Sequence, residues 1–306
     1  MTDSAPNARL DCAVIGGGPS GLTAALYLLR FHRSIEIFDG ANSRARWIPT
    51  SHNCPGFPGG ISGHDLLNKL RRQIGDHRIK PRDACVTTLE ISTGGFALRD
   101  TDDRCYHAST VILATGVVDE LPDFAWMSDA IDVGAVRLCA ICDAYEVTDR
   151  TLATFGPTEK AIAHAKFLQS YSPTVTAITT DAPELDAAEL ADLAARGIRL
   201  VIQPQTVEFD GTRCAVTTDG SRQVFDAVYI VFGARAQSRL AAALGAKLDD
   251  NRELIVDHNQ MTSIDGLFAI GDVVSAINQI SVGVGHAAVA ATFIHNRLPA
   301  CARSPR

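Results

Sequence analysis

The chain has 306 residues, of which 46% are apolar and 21% charged, and its formal net charge is -7 at pH 7. This is ordinary for a globular protein of about two domains, and the acidic balance argues against nucleic acid or an anionic membrane as a partner. The sequence has no pattern of a secretory signal and no run of roughly 18 apolar residues that would span a membrane. We therefore expect a cytoplasmic protein whose eight cysteines are mostly free thiols.

The first elements along the chain form a predicted βαβ unit. A short buried strand runs into the turn GGGPSG, a helix follows over about residues 22–30, and a second strand ends at Asp39. Gly16, Gly18 and Gly21 match G-x-G-x-x-G, in which small residues let a pyrophosphate approach the turn and the helix start. Asp39 lies 23 residues after Gly16, near the spacing of an acid that binds a ribose hydroxyl. The unit predicts a dinucleotide site, and tight strand-to-helix packing is the alternative explanation of the glycines.

A pair of cysteines with C-x-x-C spacing comes next. Cys139 and Cys142 stand two residues apart, and Asp143 follows directly. A disulphide across so short a loop gains only about 2 kcal/mol from chain entropy, so it would be a poor structural staple. A zinc site normally needs four ligands, and the sequence has no second C-x-x-C and no H-x-x-x-H, so we expect no metal. The spacing does suit two sulfurs that cycle between dithiol and disulphide.

A second βαβ unit is predicted after the cysteine pair. Residues 151–155 are expected to form a strand, 156–161 a turn, 162–171 a helix and 174–179 the next strand. The two glycine turns lie 140 residues apart, so the chain has a duplicated plan. Thr158 occupies the middle glycine position of the second copy, and its side chain would crowd a pyrophosphate there.

Six separated motifs give the chain a resemblance to the low-molecular-weight thioredoxin reductases: VIGGGPSG, HNCPGFPGGISG, ILATG, CAICD, GLFAIGD and NQISVGVGHAA. The resemblance covers nearly the whole chain. It implies an α/β fold of two Rossmann-like, three-layer ββα domains and a homodimer. Residues 1–117 and 236–306 would form a discontinuous FAD domain. Residues 118–235 would form the inserted, smaller domain, which carries the C-x-x-C pair and resembles a degenerate NAD(P)H domain.

The same resemblance implies roles for individual residues. Cys142 would face the flavin, Cys139 would attack the partner disulphide, and Asp143 would be the acid-base group; the residues themselves give no order to the pair. The smaller domain would rotate about hinges near residues 117–121 and 233–237. The residues implied to bind FAD are Gly16, Gly18, Pro19, Ser20, Gly21, Asp39, Asn53, Ala114, Thr115, Gly116, Gly271, Asp272, Gln279 and Ile280.

The chain departs from the resembled family at the electron donor. Members that use NADPH carry a G-x-G-x-x-A turn and a His-Arg-Arg run, and the matching positions here are Gly156, Thr158, Ala161, Thr179, Thr180 and Asp181. Both arginines are missing, and Asp181 would repel the 2′-phosphate of NADPH. We therefore expect weak or absent use of NADPH, with ferredoxin, flavodoxin or another donor instead. NADH stays open, because Asp181 could hold two ribose hydroxyls, although Thr158 argues against it.

The leading functional prediction is an FAD-dependent thiol-disulphide oxidoreductase. It would relay two electrons between the flavin and thioredoxin, or a thioredoxin-like partner, through Cys139 and Cys142. One alternative is a dithiol oxidase that acts on a small molecule and uses oxygen, and another is a non-catalytic FAD redox sensor. His286, at the start of the last helix, could tune the charge of the flavin or be an ordinary helix-start histidine.

Overall fold

The computed structural model describes residues 9–182, 184–274 and 277–300, and their contacts separate two units. The first unit contains the chain up to Arg46, Ser62–Val118 and the chain from Arg235 onward. The second contains Trp47–Ile61 and Asp119–Ala234. The boundaries predicted from the sequence fall after residues 117 and 235, and residues 47–61 were predicted to belong to the first domain. The contacts group residues 47–61 with the second unit instead.

The strands and helices are numbered along the chain. The strands are β1 (Leu10–Ile15), β2 (Ile35–Asp39), β3 (Arg82–Asp83), β4 (Val86–Ser92), β5 (Gly95–Asp100), β6 (Cys105–Leu113), β7 (Val117–Asp119), β8 (Val136–Arg137), β9 (Leu152–Gly156), β10 (Val175–Thr179), β11 (Arg199–Ile202), β12 (Thr206–Phe209), β13 (Cys214–Thr218), β14 (Ser221–Phe225), β15 (Ala227–Ile230), β16 (Ala234–Ala236) and β17 (Leu267–Ala269). The helices are α1 (Pro19–Arg30), α2 (Gly63–Gly75), α3 (Met127–Asp132), α4 (Ala140–Asp143), α5 (Thr158–Leu168), α6 (Ala187–Arg196), α7 (Arg239–Ala243) and α8 (Ile280–Arg297). Within the described ranges, no helix has both the length and the apolar character needed to cross a membrane.

The first unit is built on one sheet with the order β3-β2-β1-β6-β5-β4, and β17 pairs with the second half of β6. The pairings of β1 with β2 and with β6 are parallel, whereas β4, β5 and the first half of β6 are antiparallel. The centre of β1 and the end of β6 are continuous, fully buried apolar runs, which is typical of parallel strands covered on both faces. The strand order changes direction between β1 and β6, and ligands of such sheets bind at the carboxyl ends beside this point.

The second unit contains a parallel sheet with the order β11-β10-β9-β15-β8 and a separate antiparallel sheet, β12-β13-β14. Side chains from both sheets, including Phe155 and Phe225, form one apolar cluster. Trp47 packs against this cluster together with Phe124 and Trp126. This packing explains why residues 47–61 group with the second unit.

The helix starts differ from those predicted. The helix expected from residue 22 begins at Pro19, because proline is well suited to the first turn, where its missing N–H needs no partner. The helix expected over residues 162–171 spans Thr158–Leu168, since the Thr158 N–H finds an acceptor in the Asp181 carboxylate. The strand predicted to end at Asp39 is confirmed as β2.

The chain passes between the units at four places, and two of them lie in β7 and β16, the two strands of a small sheet. On the side of the first unit, the Gln237 N–H donates to the Gly116 carbonyl at 2.9 Å. On the side of the second unit, the Glu120 N–H donates to the Gly233 carbonyl at 2.8 Å. These residues lie in or next to the two segments predicted as hinges, and rotation about them stays a prediction.

We expect Asp100→Asn to destabilise the first unit by about 2 kcal/mol at pH 7, the scale of hydrogen bonds to a buried charge. Asp100 is 1% exposed. Burial raises the pKa of its carboxyl, but hydrogen bonds from the Tyr106 hydroxyl and from the Arg104 and Asp102 amides outweigh burial and hold it below its usual range.

A carboxyl with a lowered pKa stabilises the fold above the pKa of the unfolded chain, and this contribution is lost as the pH falls through the folded pKa. Urea unfolding at pH 7 and pH 3 should therefore show a difference between wild type and Asp100→Asn that shrinks at pH 3. A difference that is equal at both values would contradict this role of Asp100.

Candidate active site

The turn between β1 and α1 is packed directly on backbone atoms. Gly16 has φ +121°, and a Cβ there would lie 2.1 Å from the Ala114 carbonyl oxygen. A Cβ on Gly21 would lie 1.9 Å from the Gly16 carbonyl oxygen. Gly18 caps α1 without a side-chain hydrogen bond, so the amides of the first turn are not covered by a capping side chain. The turn is therefore tightly packed, and no capping side chain covers the α1 amides to which an anion could bind.

We expect Gly21→Ala to impair binding of a dinucleotide and to destabilise the protein by about 3 kcal/mol, because backbone must move to admit the new methyl group. Gly75→Ala is the matched control, since Gly75 ends α2 and nothing lies within 4 Å of its added Cβ. That variant should be neutral or slightly more stable. Thermal unfolding and the content of bound flavin measure both effects, and equal behaviour of the two variants would contradict the prediction.

Asp39 lies at the carboxyl end of β2 and is held from two sides. Its Oδ1 accepts from the Ala41 N–H at 2.9 Å, and its Oδ2 accepts from Nη2 of Arg71 at 3.0 Å. A Cβ on Gly17 would lie 2.1 Å from the Asp39 carboxyl carbon. A carboxylate has about four lone-pair sites, so Asp39 can still accept from a ribose hydroxyl. Gly17 and Arg71 were not predicted from the sequence. The run of three glycines signalled Gly17, whereas α2 brings Arg71 from far along the chain.

The residues after β6 lie at the same carboxyl end of the sheet as the β1–α1 turn. The Ala114 N–H donates to the Ile15 carbonyl at 2.8 Å, and the Thr115 hydroxyl donates to the Gln237 carbonyl at 2.8 Å. Gly116 follows with φ +64°, in the left-handed region that favours glycine. The predicted residues Ala114, Thr115 and Gly116 thus lie beside the β1 turn.

The 3-10 turn Gly271–Val273 and the start of α8 adjoin α1. Oδ2 of Asp272 lies 3.9 Å from Nη1 of Arg44. A Cβ on Gly283 would lie 2.1 Å from the Ser20 hydroxyl oxygen, which shows how closely α1 and α8 approach. Gln279 caps α8, and Ile280 is its first residue.

Two further polar groups lie near the start of α8. The Gly271 N–H donates to Nδ1 of His286 at 3.3 Å, and burial lowers the pKa of this imidazole. A neutral imidazole that accepts a backbone hydrogen bond fits an ordinary structural histidine. Oδ1 of Asn278 is buried and has no hydrogen-bond partner among the described residues. A buried acceptor of this kind suits a site completed by a ligand with hydrogen-bond donors.

The residues of the first unit fit the ADP half of FAD. The backbone of the glycine turn carries no side chain that would cover the start of α1, the first amides of α1 have no side-chain cap, and Asp39 offers a carboxylate at the neighbouring strand end. Asn53, also predicted to bind FAD, belongs to the second unit, where Oδ1 of Asn53 accepts from the Ser51 hydroxyl at 3.0 Å. It is therefore not among the residues that the first unit itself brings together.

The predicted redox pair lies in the second unit as a Cys139–Cys142 disulphide, with the two Cα atoms 5.3 Å apart. Cys139 caps the short helix α4, and both cysteines are half-buried. The free cysteines of the described chain are Cys12, Cys54, Cys85, Cys105 and Cys214. Burial raises the pKa of Cys12 to about 12 and that of Cys214 to about 11, which makes these thiols poor nucleophiles.

Asp143 ends α4 and is held by two side chains from other elements. Its Oδ1 accepts from the Tyr229 hydroxyl at 2.9 Å, and its Oδ2 lies 3.0 Å from Nη1 of Arg137. Burial raises the pKa of the Asp143 carboxyl, although the Arg137 cation and the hydrogen bond from Tyr229 oppose this rise. Asp143 was predicted from the sequence, whereas its partners Tyr229 and Arg137 were not.

The second glycine turn is closed by side chains of the second unit. Oδ1 of Asp181 accepts from both the backbone N–H and the hydroxyl of Thr158, each at 2.9 Å. These hydrogen bonds hold the pKa of the Asp181 carboxyl below its usual range. Nζ of Lys160 donates to the Phe232 carbonyl at 2.5 Å. A carboxylate therefore caps the start of α5. At the first glycine turn, by contrast, no side chain caps the amides at the start of α1.

Two Rossmann-like sheets, a glycine-rich dinucleotide turn and a C-x-x-C disulphide define a flavin-dependent disulphide oxidoreductase. The chain belongs to the pyridine nucleotide-disulphide oxidoreductase family, whose model matches residues 10–290. The predicted family, the fold class and the assignment as an enzyme are therefore confirmed.

Relatives and solved structures place the chain close to the thioredoxin reductases. It is 27% identical to a thioredoxin reductase of Mycolicibacterium smegmatis over 86% of this chain and 88% of that protein. It is also 27% identical to a bifunctional thioredoxin reductase/thioredoxin of Mycobacterium leprae, over 89% of this chain and 62% of that protein. The crystal structure of thioredoxin reductase from Streptococcus pyogenes superposes with a TM-score of 0.85 at 26% identity, covering 95% of this chain and 98% of that one.

Proposed function

We propose that the protein is an FAD-dependent thiol-disulphide oxidoreductase that relays two electrons between its flavin and a thioredoxin-like protein. The observation that carries this proposal is the half-buried Cys139–Cys142 disulphide, with Asp143 one helical turn after Cys139. FAD, when bound by the first unit, would supply a two-electron redox centre. Cytoplasmic localisation, which is expected from the sequence pattern, and a homodimer, which the resemblance implies, belong to the same proposal.

The roles of the cysteines and of Asp143 follow from the chemistry of the pair. Opening the disulphide takes up two electrons and one proton and yields one thiol and one thiolate. Asp143 follows Cys142 directly at the end of α4, and in this proposal its carboxyl exchanges a proton with the thiol of the opened pair. The Cys139 thiolate then attacks the partner disulphide, and Cys142 resolves the mixed disulphide, which reforms the Cys139–Cys142 bond and releases the partner as a dithiol.

The proposed partner is supported by the M. leprae relative, which is a bifunctional thioredoxin reductase/thioredoxin. This chain matches 62% of that relative's length. A thioredoxin is therefore the partner that we propose for this chain.

We further propose that the electrons do not come from NADPH. Asp181 places a carboxylate on the Thr158 amide, at the helix start where a dinucleotide pyrophosphate would otherwise be held. Lys160 reaches the Phe232 carbonyl beside the same turn. A reduced ferredoxin or flavodoxin needs no nucleotide site in this unit, so these donors are compatible with the closed turn.

The closed turn also favours a second candidate, a dithiol oxidase. Such an enzyme takes electrons from a small dithiol through the same cysteine pair and passes them to oxygen through the flavin. It needs no pyridine nucleotide either, and it differs from the first candidate in its small-molecule substrate, in its use of oxygen and in the direction of electron flow.

A panel of electron donors tests the proposed function. The purified flavoprotein is mixed anaerobically with an oxidised thioredoxin and with NADPH, NADH, reduced ferredoxin or reduced flavodoxin, and new thioredoxin thiols are counted. We expect thiols with ferredoxin or flavodoxin and not with NADPH. Efficient turnover with NADPH would refute the donor proposal. Failure with every donor, together with oxygen uptake on adding a small dithiol, would favour the oxidase.

A further inference from the structure

We propose that Tyr229 and Arg137 are positioning residues that hold the two oxygens of Asp143 and thereby set the pH range in which the Cys139–Cys142 pair exchanges protons. This inference rests on the proposed function, because it assigns a proton-transfer role to Asp143. It adds two residues that lie outside the C-x-x-C motif and come from two different strands.

The carboxylate is held at both oxygens by groups on other elements. Tyr229 lies on β15 and is 1% exposed, and its hydroxyl donates to Oδ1 of Asp143 at 2.9 Å. Arg137 ends β8, and its Nη1 lies 3.0 Å from Oδ2. β8 and β15 are neighbouring parallel strands in which Arg137 is paired with Tyr229, so the sheet itself sets the spacing of the two partners.

Arg137 is fixed by its own hydrogen bonds. Its Nε donates to the Gly134 carbonyl at 3.2 Å, and its Nη1 also donates to the Asp143 backbone carbonyl at 3.2 Å. The guanidinium therefore keeps one orientation with little room to follow a carboxyl that rotates. A residue held in this way preserves the direction of the Asp143 carboxylate while the neighbouring sulfurs change between bonded and free forms.

The surroundings of Asp143 have opposing effects on the pKa of its carboxyl. Burial favours its protonated form, and so does the nearby charge of Glu146, whereas the Arg137 cation and the hydrogen bond from Tyr229 favour the carboxylate. Tyr229 stays protonated as a donor, because burial and the Asp143 charge raise the pKa of its hydroxyl. Removing either partner therefore tips Asp143 toward its protonated form, in which it no longer accepts a proton from a thiol.

The experiment compares Tyr229→Phe and Arg137→Met in the full-length flavoprotein. Carbon-13 NMR of labelled aspartate follows the carboxyl titration of Asp143, which is assigned with Asp143→Asn. In parallel, the reduced cysteine pair is mixed with hydroxyethyl disulphide, and the rate of thiol-disulphide exchange is measured against pH. Tyr171→Phe and Arg150→Met are the matched controls in the same unit, and Arg137→Lys tests rescue by a charge without the planar fork.

We expect the Asp143 midpoint to rise by about one pH unit in Tyr229→Phe and by about one to two in Arg137→Met. The acid limb of the exchange rate should move in the same direction, whereas the controls leave both measurements unchanged. In an Asp143→Asn background the two substitutions should have no further effect on the exchange profile, because they act through that carboxyl.

Three results would overturn the proposal in distinguishable ways. An unchanged Asp143 midpoint in folded Tyr229→Phe excludes the positioning role. If Arg137→Met fails to fold, the midpoint in Tyr229→Phe alone tests the proposal. Equal shifts of the exchange profile with and without the Asp143 carboxyl show that the partners act by another route. An exchange profile insensitive to Asp143→Asn refutes the proton-transfer role of Asp143 and leaves the disulphide relay standing.

Discussion

Replacing Cys142 with serine should lower electron transfer between the flavin and a partner disulphide by more than about 10³-fold, the scale expected for loss of a group that forms covalent intermediates. The variant has no Cys139–Cys142 bond to open, so the proposed relay has no disulphide that could accept electrons from the flavin. Cys139 remains and can still attack the partner disulphide. We therefore expect Cys142→Ser to accumulate a mixed disulphide with thioredoxin, visible by mass spectrometry, while it retains bound flavin.

Two further variants make this result specific. Cys139→Ser should lose turnover to the same extent but form no lasting mixed disulphide, because the attacking sulfur is absent. Cys105→Ser removes an exposed free thiol and should leave turnover unchanged. Turnover above about a tenth of wild type in either Cys139→Ser or Cys142→Ser would contradict a relay through this pair.

The second large effect concerns the nucleotide turn of the second unit. Wild-type protein should show no saturable binding of NADPH below about 1 mM, because Asp181 already holds the Thr158 amide and adds a negative charge there. Replacing Thr158 by glycine and Asp181 by alanine together removes the crowding side chain and the carboxylate. We expect this double variant to bind NADPH about tenfold more tightly, as measured by calorimetry.

The control for the nucleotide experiment is Asp192→Ala. Asp192 is a carboxylate of the same unit that pairs with Lys166 and Arg196, so its removal changes the net charge without touching the turn. It should bind NADPH no better than wild type. Micromolar binding of NADPH by the wild-type protein would show that the Asp181 contact does not close this site.

Local patterns predicted most of the first unit and the redox pair. The G-x-G-x-x-G spacing located the turn between β1 and α1, because the backbone there excludes any Cβ. The strand ending at Asp39 followed from the short apolar run before it. The bond between Cys139 and Cys142 followed from a spacing that brings two sulfurs together whatever the rest of the fold.

These local patterns did not predict contacts between distant parts of the chain. Tyr229 follows Asp143 by 86 residues, and nothing near either residue indicates that β15 and α4 meet. Trp47 shows the same difficulty, since its place in the second unit depends on an apolar cluster built from strands far along the chain. Asp181 was predicted to repel a phosphate, and the structure adds that its carboxylate bonds the Thr158 amide, a contact set by tertiary structure.

The most direct test is an anaerobic titration of the oxidised flavoprotein with reduced thioredoxin, followed by flavin absorbance and by a count of protein thiols. We predict that the flavin is bleached in wild type as the Cys139–Cys142 disulphide opens, and that it stays oxidised in Cys142→Ser. A wild-type flavin that remains oxidised while the disulphide is fully reduced, at a potential where free flavin would be reduced, would contradict electron exchange between the two centres.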